Sequence, residues 1–180
     1  MKKSIIILLS VIALGACTQQ ALQTTYDKQT TNIESFISAQ MKADETATLT
    51  RTGGAYRLTL HDTLDPTRDS LGWNGSVTFD YALYLLTGSS ISASNLVSTN
   101  VESVAKAAGW DLSDKSQFQP VTLNMKDDIL EGLKMGLFGV QPDDEAFILF
   151  TGKYGFGSSE QGTIPAKSAL VYHVAIHSIE

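Results

Sequence analysis

Few residues in this sequence have both the type and the spacing to do chemistry. His173 and His177 stand four apart near the end of the chain, and paired imidazoles are a common beginning of a metal site. They fall in "ALVYHVAI" (169–176) and the residue after it, an alternating stretch read as a strand. Four steps along a strand put both rings on one face but about 13 Å apart, at about 3.3 Å per residue, too far to share one ion. The expectation is solvated side chains and no metal. Asp62, Asp65 and Asp69 crowd into one stretch, "DTLDPTRDSLGWNG". They lack the loop spacing of a calcium hand, and turn formation accounts for them. No Ser/His/Asp grouping and no phosphate-cradling glycine loop can be identified, and no cofactor is implied.

A different kind of site is suggested by "KYGFGSSEQGTIPAKSALVYHVAI", residues 153–176. Phe156 sits between Gly155 and Gly157, a polar loop follows, and an Ile164-Pro165 step leads into a strand that is apolar on both faces. A core strand has little use for two glycines beside one aromatic. A loop so punctuated is built to hold something open.

The remaining reactive side chain is Cys17, the only cysteine. It follows "MKKSIIILLSVIALGA", in which Lys2 and Lys3 precede an apolar run too short for a comfortable membrane span and then small residues, the pattern of a signal peptide. Leu14-Gly15-Ala16-Cys17 resembles the bacterial lipobox, which implies cleavage after residue 16 and lipidation of Cys17. Acyl chains on one residue would anchor the protein to a membrane. Thr18, rather than Asp, after the cysteine resembles lipoproteins sent to an outer membrane, so the expected location is the bacterial cell envelope, outer membrane, facing the periplasm. Lipidation would leave no thiol for a disulfide or for catalysis.

Charge narrows the partners. Of 13 basic residues, losing Lys2 and Lys3 with the leader leaves 11 against 19 acidic ones, a net charge of −8. With no basic cluster, nucleic acid and anionic lipid surfaces are poor partners, and no nucleic acid is expected. The 43% hydrophobic and 18% charged composition of the 180 residues is that of one globular domain with an appendage.

The elements that must position these residues follow from periodicity. "TQQALQTTYDKQ" has none and reads as a tether. Thr31-Asn32-Ile33-Glu34 has capping-box spacing, and Ile33, Phe36, Ile37 and Met41 form one apolar stripe, predicting a helix over 31–42. Beyond Gly53 and Gly54 the pattern alternates: "AYRLTLHD", "SVTFDYALYLLTG", "QPVTLNM" (119–125), "EAFILF" (145–150) and "ALVYHVAI" read as strands. One helix interrupts them, opening at Asp127 and Asp128, with Ile129, Leu130, Leu133 and Leu137 on one side and a stop at Gly139. Gly132 and Gly136, four apart, would let it approach another element closely. If Ala146, Ile148 and Phe150 face this helix, Phe147, Leu149, Tyr84, Leu86 and Val171 face outward, and the 31–42 helix is the nearest cover for them. Within 93–119, Thr99-x-x-Glu102 and Gly109 bracket a further helix.

The order of strand, "ILEGLKMG", turn, "EAFILF", "KYGFG", polar loop and "TIPAKSALVYHV" resembles the FKBP-type peptidyl-prolyl isomerases, from about residue 54 to 180. The fold implied is α+β: an antiparallel sheet wrapped around one short helix, here with an N-terminal helix and a helical insertion. The organisation expected is a signal peptide over 1–16, tether and amphipathic helix over 17–50, and the domain over 51–180 with the insertion at 93–119. Carried over residue by residue, the resemblance implies a pocket with Tyr81, Leu130, Leu133, Phe156 and Tyr172 at the reacting bond and Ile91, Ser92, Val121, Ile129 and Ile164 holding the substrate.

Relatives usually have Trp where this chain has Leu133, an acidic residue where it has Ser92, Tyr where it has Phe156, and Phe where it has Ile91 and Val121. What the resemblance then implies is a weak peptidyl-prolyl cis-trans isomerase acting on proline-containing segments of envelope or exported proteins. The alternative is a membrane-anchored binding or chaperone module without turnover.

Overall fold

The computed structural model describes residues 3–61 and 67–180, with side chains from residue 19 onward. Expectations resting on Met1, Lys2, Asp62 and Asp65, and on the side chains of Lys3 and Cys17, lie outside the described residues. Helix α1 (Lys3–Ala43) comes first, then strands β1 (Thr48–Thr52), β2 (Ala55–Leu60), β3 (Ser76–Leu85) and β4 (Leu96–Thr99). Helix α2 (Glu102–Ala107), β5 (Val121–Asn124), helix α3 (Glu131–Leu137), β6 (Glu145–Phe150) and β7 (Leu170–Ile179) complete the order. The described strands form one antiparallel sheet in the order β1-β2-β6-β7-β3-β4, and β5 pairs with the first half of β3 while β4 pairs with the second. The fold is α+β, as the sequence predicts.

The sheet has two apolar faces, and each has a cover. Alternation along β6 sends Ala146, Ile148 and Phe150 to the face under α3, where they join Val77, Phe79, Leu83, Leu133, Leu137, Leu170 and Tyr172. Phe147 and Leu149 go to the other face with Leu58, Leu86 and Val171. Ile33, Phe36 and Ile37 of α1 cover that second face, and Phe36 meets Phe147 edge-on at 5.1 Å between ring centroids. The outer-face parity and its helical cover are as the strand alternation predicts. Met41 is the exception to the predicted stripe, since it stays 40% exposed.

The glycines of α3 set how closely that helix approaches. A Cβ on Gly136 would lie 2.1 Å from Cγ2 of Ile148, and one on Gly132 would lie 2.2 Å from Cγ of Phe150. Helix backbone therefore rests directly on β6. Arg57 of β2 closes the far end of α3, its guanidinium donating to the carbonyls of Phe138 (2.6 Å) and Gly136 (3.3 Å). A cation suits the negative end of a helix and occupies carbonyls that have no partner within it.

Three boundaries differ from the sequence reading. The stretch read as a tether, up to Gln29, is helical, and α1 runs through Thr31 without a break. Thr24, Thr25, Thr30 and Thr31 donate their hydroxyls to carbonyls four residues back, and Gln23 bonds Asp27 at the same spacing. The Gln23–Asp27 pair supports the helix at a spacing where side chains meet, and the threonine hydroxyls are satisfied by carbonyls of the same helix. Helix α3 starts at Glu131 instead of Asp127, because Asp127 closes a turn over 124–127, its N–H donating to the Asn124 carbonyl (2.9 Å) and its carboxylate accepting the Asn124 N–H (3.3 Å). Within the supposed insertion, Leu96–Thr99 is a strand of the sheet, and α2 is capped at Val101 with no side-chain cap. Thr99 is engaged elsewhere.

Candidate active site

On the inner face of the sheet, under α3, the apolar cluster is buried at its centre and half-exposed at one edge, and that edge is the candidate cleft. Leu133, Tyr172 and Ile164 form the floor, all under 10% exposed. Tyr81, Val97, Val121, Ile129, Leu130, Tyr154 and Phe156 are half-buried around them. Such a ring of half-covered apolar side chains over a buried floor is how a preformed apolar site looks before it is filled. Tyr81 and Tyr172 come from neighbouring strands with centroids 6.0 Å apart, and Phe150 stacks behind Tyr172 at 6.1 Å.

Tyr81 is held at both its hydroxyl and its backbone. Three consecutive residues at the end of β4 grip it. The hydroxyl of Ser98 lies 2.9 Å from the Tyr81 hydroxyl, Thr99 donates its hydroxyl to the Tyr81 carbonyl (2.7 Å), and the Asn100 side-chain oxygen accepts the Tyr81 N–H (2.6 Å). The Asn100 amide in turn reaches Asp80 (3.0 Å) and the Gln119 carbonyl (2.8 Å). Asn100 and Thr99 are both 5% exposed, so these bonds are shielded from water.

Bonds within its own backbone shape the loop that overhangs the cleft. Gly157, at φ +56, takes the left-handed turn that lets Phe156 look back over the site. Ile164 is held by a two-way bridge with Gln161, at 3.0 and 2.8 Å. Among the described residues no hydrogen bond occupies the Leu130 N–H, at the start of α3. Burial, and then the neighbouring Tyr81 phenol, push the Tyr172 hydroxyl well above the ordinary tyrosine range, so it stays neutral at any physiological pH.

Of the site residues named from sequence, Tyr81, Leu130, Leu133, Phe156, Tyr172, Val121, Ile129 and Ile164 come together in this cleft. Ile91 and Ser92 do not. Ile91 packs with the outer-face cluster. Ser92 is exposed and bonds Ser94 and Asn95 at the start of a short 3-10 turn. Their places at the cleft are taken by Val97 and Ser98, which the sequence reading placed in an insertion. His177 is exposed and His173 half-buried, and each bonds a carboxylate of its own, Asp80 (2.9 Å) and Glu145 (2.7 Å) respectively.

A family model for FKBP-type peptidyl-prolyl cis-trans isomerases matches residues 73–177, more than half of the chain. The chain belongs to that family. The matched span opens just before β3 and closes within β7, so it contains every residue of the cleft. No curated protein sequence matches the chain. Among solved structures, the three FKBP domains of wheat FKBP73 superpose with a TM-score of 0.56 at 16% identity, over 74% of this chain and 51% of the wheat chain. This FKBP-family chain thus spans about half the length of that protein. FkpA from Escherichia coli superposes with a TM-score of 0.55 at 13% identity, over 100% of this chain and 73% of that one. At such identities the likeness is one of fold.

Proposed function

We propose that the protein is a peptidyl-prolyl cis-trans isomerase that works on proline-containing segments of envelope or exported proteins while anchored through a lipid on Cys17, in an outer membrane and facing the periplasm. The observation that carries the reading is the cleft itself, an apolar site with Tyr81 fixed at its wall and Tyr172 at its floor, in a chain of this family.

The reaction needs no nucleophile and no proton transfer. Rotation about an Xaa-Pro bond must cross a torsional barrier of about 18–20 kcal/mol, and at the top the amide has lost its resonance. A site that excludes water and fits the twisted form better than the planar one accelerates the exchange. The pyrrolidine ring would rest on Leu133 and Tyr172, with Ile164 and Phe156 closing over it. The Leu130 N–H and the Tyr81 hydroxyl would serve as donors to carbonyls that flank the rotating bond. Leu133 gives the ring a smaller platform than Trp, and Phe156 brings no hydroxyl, so low turnover is expected, with preference for an apolar residue before proline.

The test is a protease-coupled assay on a Leu-Pro tetrapeptide with protein from residue 18 onward. Rates above the uncatalysed exchange and proportional to protein concentration are expected. A rate equal to the uncatalysed one at high protein concentration would leave the domain as a binding module without turnover. The anchor is tested separately: Cys17→Ser should abolish labelling of the protein by fatty acid, and label retained on the variant would remove the lipid anchor from the reading.

A further inference from the structure

Gln29 lies on α1, in the stretch without apolar periodicity, yet it is tied to the loop above the cleft. Its side-chain oxygen accepts the Gly152 N–H at 2.9 Å, and its side-chain nitrogen donates to the Lys167 carbonyl at 2.5 Å. The orientation of the amide is fixed by its partners, since one supplies a donor and the other an acceptor. Gly152 and Lys167 are the two ends of the loop that carries Phe156 and Ile164. They lie so close that a Cβ on Gly152 would meet the Lys167 carbonyl carbon at 2.4 Å.

The bonds close into a ring. The Gly152 carbonyl accepts the Gly157 N–H (2.9 Å), the Gly157 carbonyl accepts the Lys167 N–H (2.6 Å), and Gln29 joins Lys167 back to Gly152. Three members of this ring belong to the loop, and one of them, Gly157, is covalently next to Phe156. The fourth belongs to a helix whose buried residues otherwise pack on the opposite face of the sheet. A glutamine amide offers a donor and an acceptor side by side, as a neighbouring strand would, and Gly152 is buried, so its N–H has poor access to water.

We propose that Gln29 is a positioning residue for the cleft: by closing this ring it sets how far Phe156 overhangs the site, and so makes the upper wall of the site depend on the docking of α1. The inference rests on the reading of the cleft as the place where the proline segment binds.

The experiment compares the full chain with its Gln29→Leu and Gln29→Glu variants, with Ser38→Ala on the exposed side of the same helix as control. Hydrogen exchange at the amides of Gly152, Gly157 and Lys167 reads the ring directly. In Gln29→Leu, which removes both bonds, these amides should exchange about two- to tenfold faster, the range expected for one hydrogen bond. Gln29→Glu keeps the acceptor for Gly152 but turns a carboxylate oxygen toward the Lys167 carbonyl, so the Gly157 and Lys167 amides should loosen more than that of Gly152. With the Leu-Pro tetrapeptide, KM should rise several-fold in both variants while kcat changes less. Rescue of both readouts in Gln29→Glu at a pH that protonates the carboxylate would support the donor role.

Unchanged exchange in both variants would overturn the ring as a restraint. Faster exchange with unchanged KM would overturn its role in the site. If Gln29→Leu lowers the unfolding midpoint of the whole chain, the near-isosteric Gln29→Glu decides. If the unaltered chain turns over no peptide, the catalytic reading fails by itself, and the exchange comparison still settles whether Gln29 holds the loop.

Discussion

The hydroxyls of Tyr81 and Ser98 lie 2.9 Å apart, on adjacent strands of the sheet at the wall of the cleft. The bond orients a phenol that would otherwise swing about its ring axis, and the grip on the Tyr81 backbone by Thr99 and Asn100 leaves the ring itself little freedom. Ser98→Ala should therefore lower kcat/KM on Leu-Pro peptides by about two- to tenfold, the worth of one such bond, with little change in unfolding midpoint. In a Tyr81→Phe background the same substitution should have no further effect, because the hydroxyl it orients is gone. Ser92→Ala should be silent. A loss in Ser92→Ala with none in Ser98→Ala would mean that the exposed turn, and not the end of β4, holds the tyrosine.

The contact between Gly136 and Ile148 sets two effects against each other. Alanine in place of a helical glycine gains about 1 kcal/mol of helix propensity. Its methyl group, however, would stand 2.1 Å from a methyl of Ile148, which is fully buried on a central strand. Overpacking of this kind costs about 1–3 kcal/mol, and more where the neighbour cannot move. Gly136→Ala should destabilise the protein in denaturant unfolding. Adding Ile148→Ala should cost less in the Gly136→Ala background than in the unaltered chain. Additive losses would show that the two residues do not compete for the same space.

Asp44 ties the end of α1 to the sheet. Its carboxylate accepts the His61 N–H at 2.7 Å and both the N–H and the hydroxyl of Thr46, at 2.9 and 2.7 Å. The backbone bond from His61, and then the Thr46 hydroxyl, lower its pKa from 3.8 to about 2. A depressed folded-state value means that the charged form is favoured by folding. That contribution is complete above pH 3.8 and is lost as the pH falls toward 2. The gap in urea midpoint between the protein and Asp44→Asn should be constant near neutrality and close between about pH 4 and pH 2. A gap of the same size at pH 6 and pH 2 would show that the charge on Asp44 is not what the fold uses.

Strand parity was the most legible feature of the sequence. In β6 every second residue is apolar on both faces, so the assignment of Phe147 and Leu149 to an outer face that needs a cover follows from alternation alone, and α1 provides that cover. The close approach of α3 was legible in Gly132 and Gly136, since two glycines in a short helix need a reason. What could not be read was anything set by a polar residue at one point. Ile91 fits either face of the sheet; it stands outside any strand, between β3 and the turn at 93–95, and packs with the outer cluster. Ser98, Thr99 and Asn100 carry no periodicity, and only their pairing with β3 brings them to Tyr81. Gln29 sits in a stretch whose helicity has no apolar stripe to announce it.

The outer face gives the last prediction. Phe36 is 2% exposed and meets Phe147 nearly perpendicularly, at 83° between ring planes, with Ile33 and Ile37 beside it. Removing a buried aromatic costs about 3–5 kcal/mol where the site cannot collapse. Here the neighbours lie on two elements, one of which can lift away, so Phe36→Ala should act in one of two ways. If α1 and the sheet unfold together, the whole transition moves to lower denaturant with its slope unchanged. If α1 lifts first, a separate early transition appears, and the exposed Leu149, Val171 and Leu86 should bind an apolar dye while α3 and the cleft remain folded. Deleting residues 18–50 should expose the same face permanently, raising dye binding and driving self-association. A truncated protein as monomeric and as dye-silent as the longer form would show that the outer face does not need the helix, and the burial of Phe36 would then stabilise α1 alone.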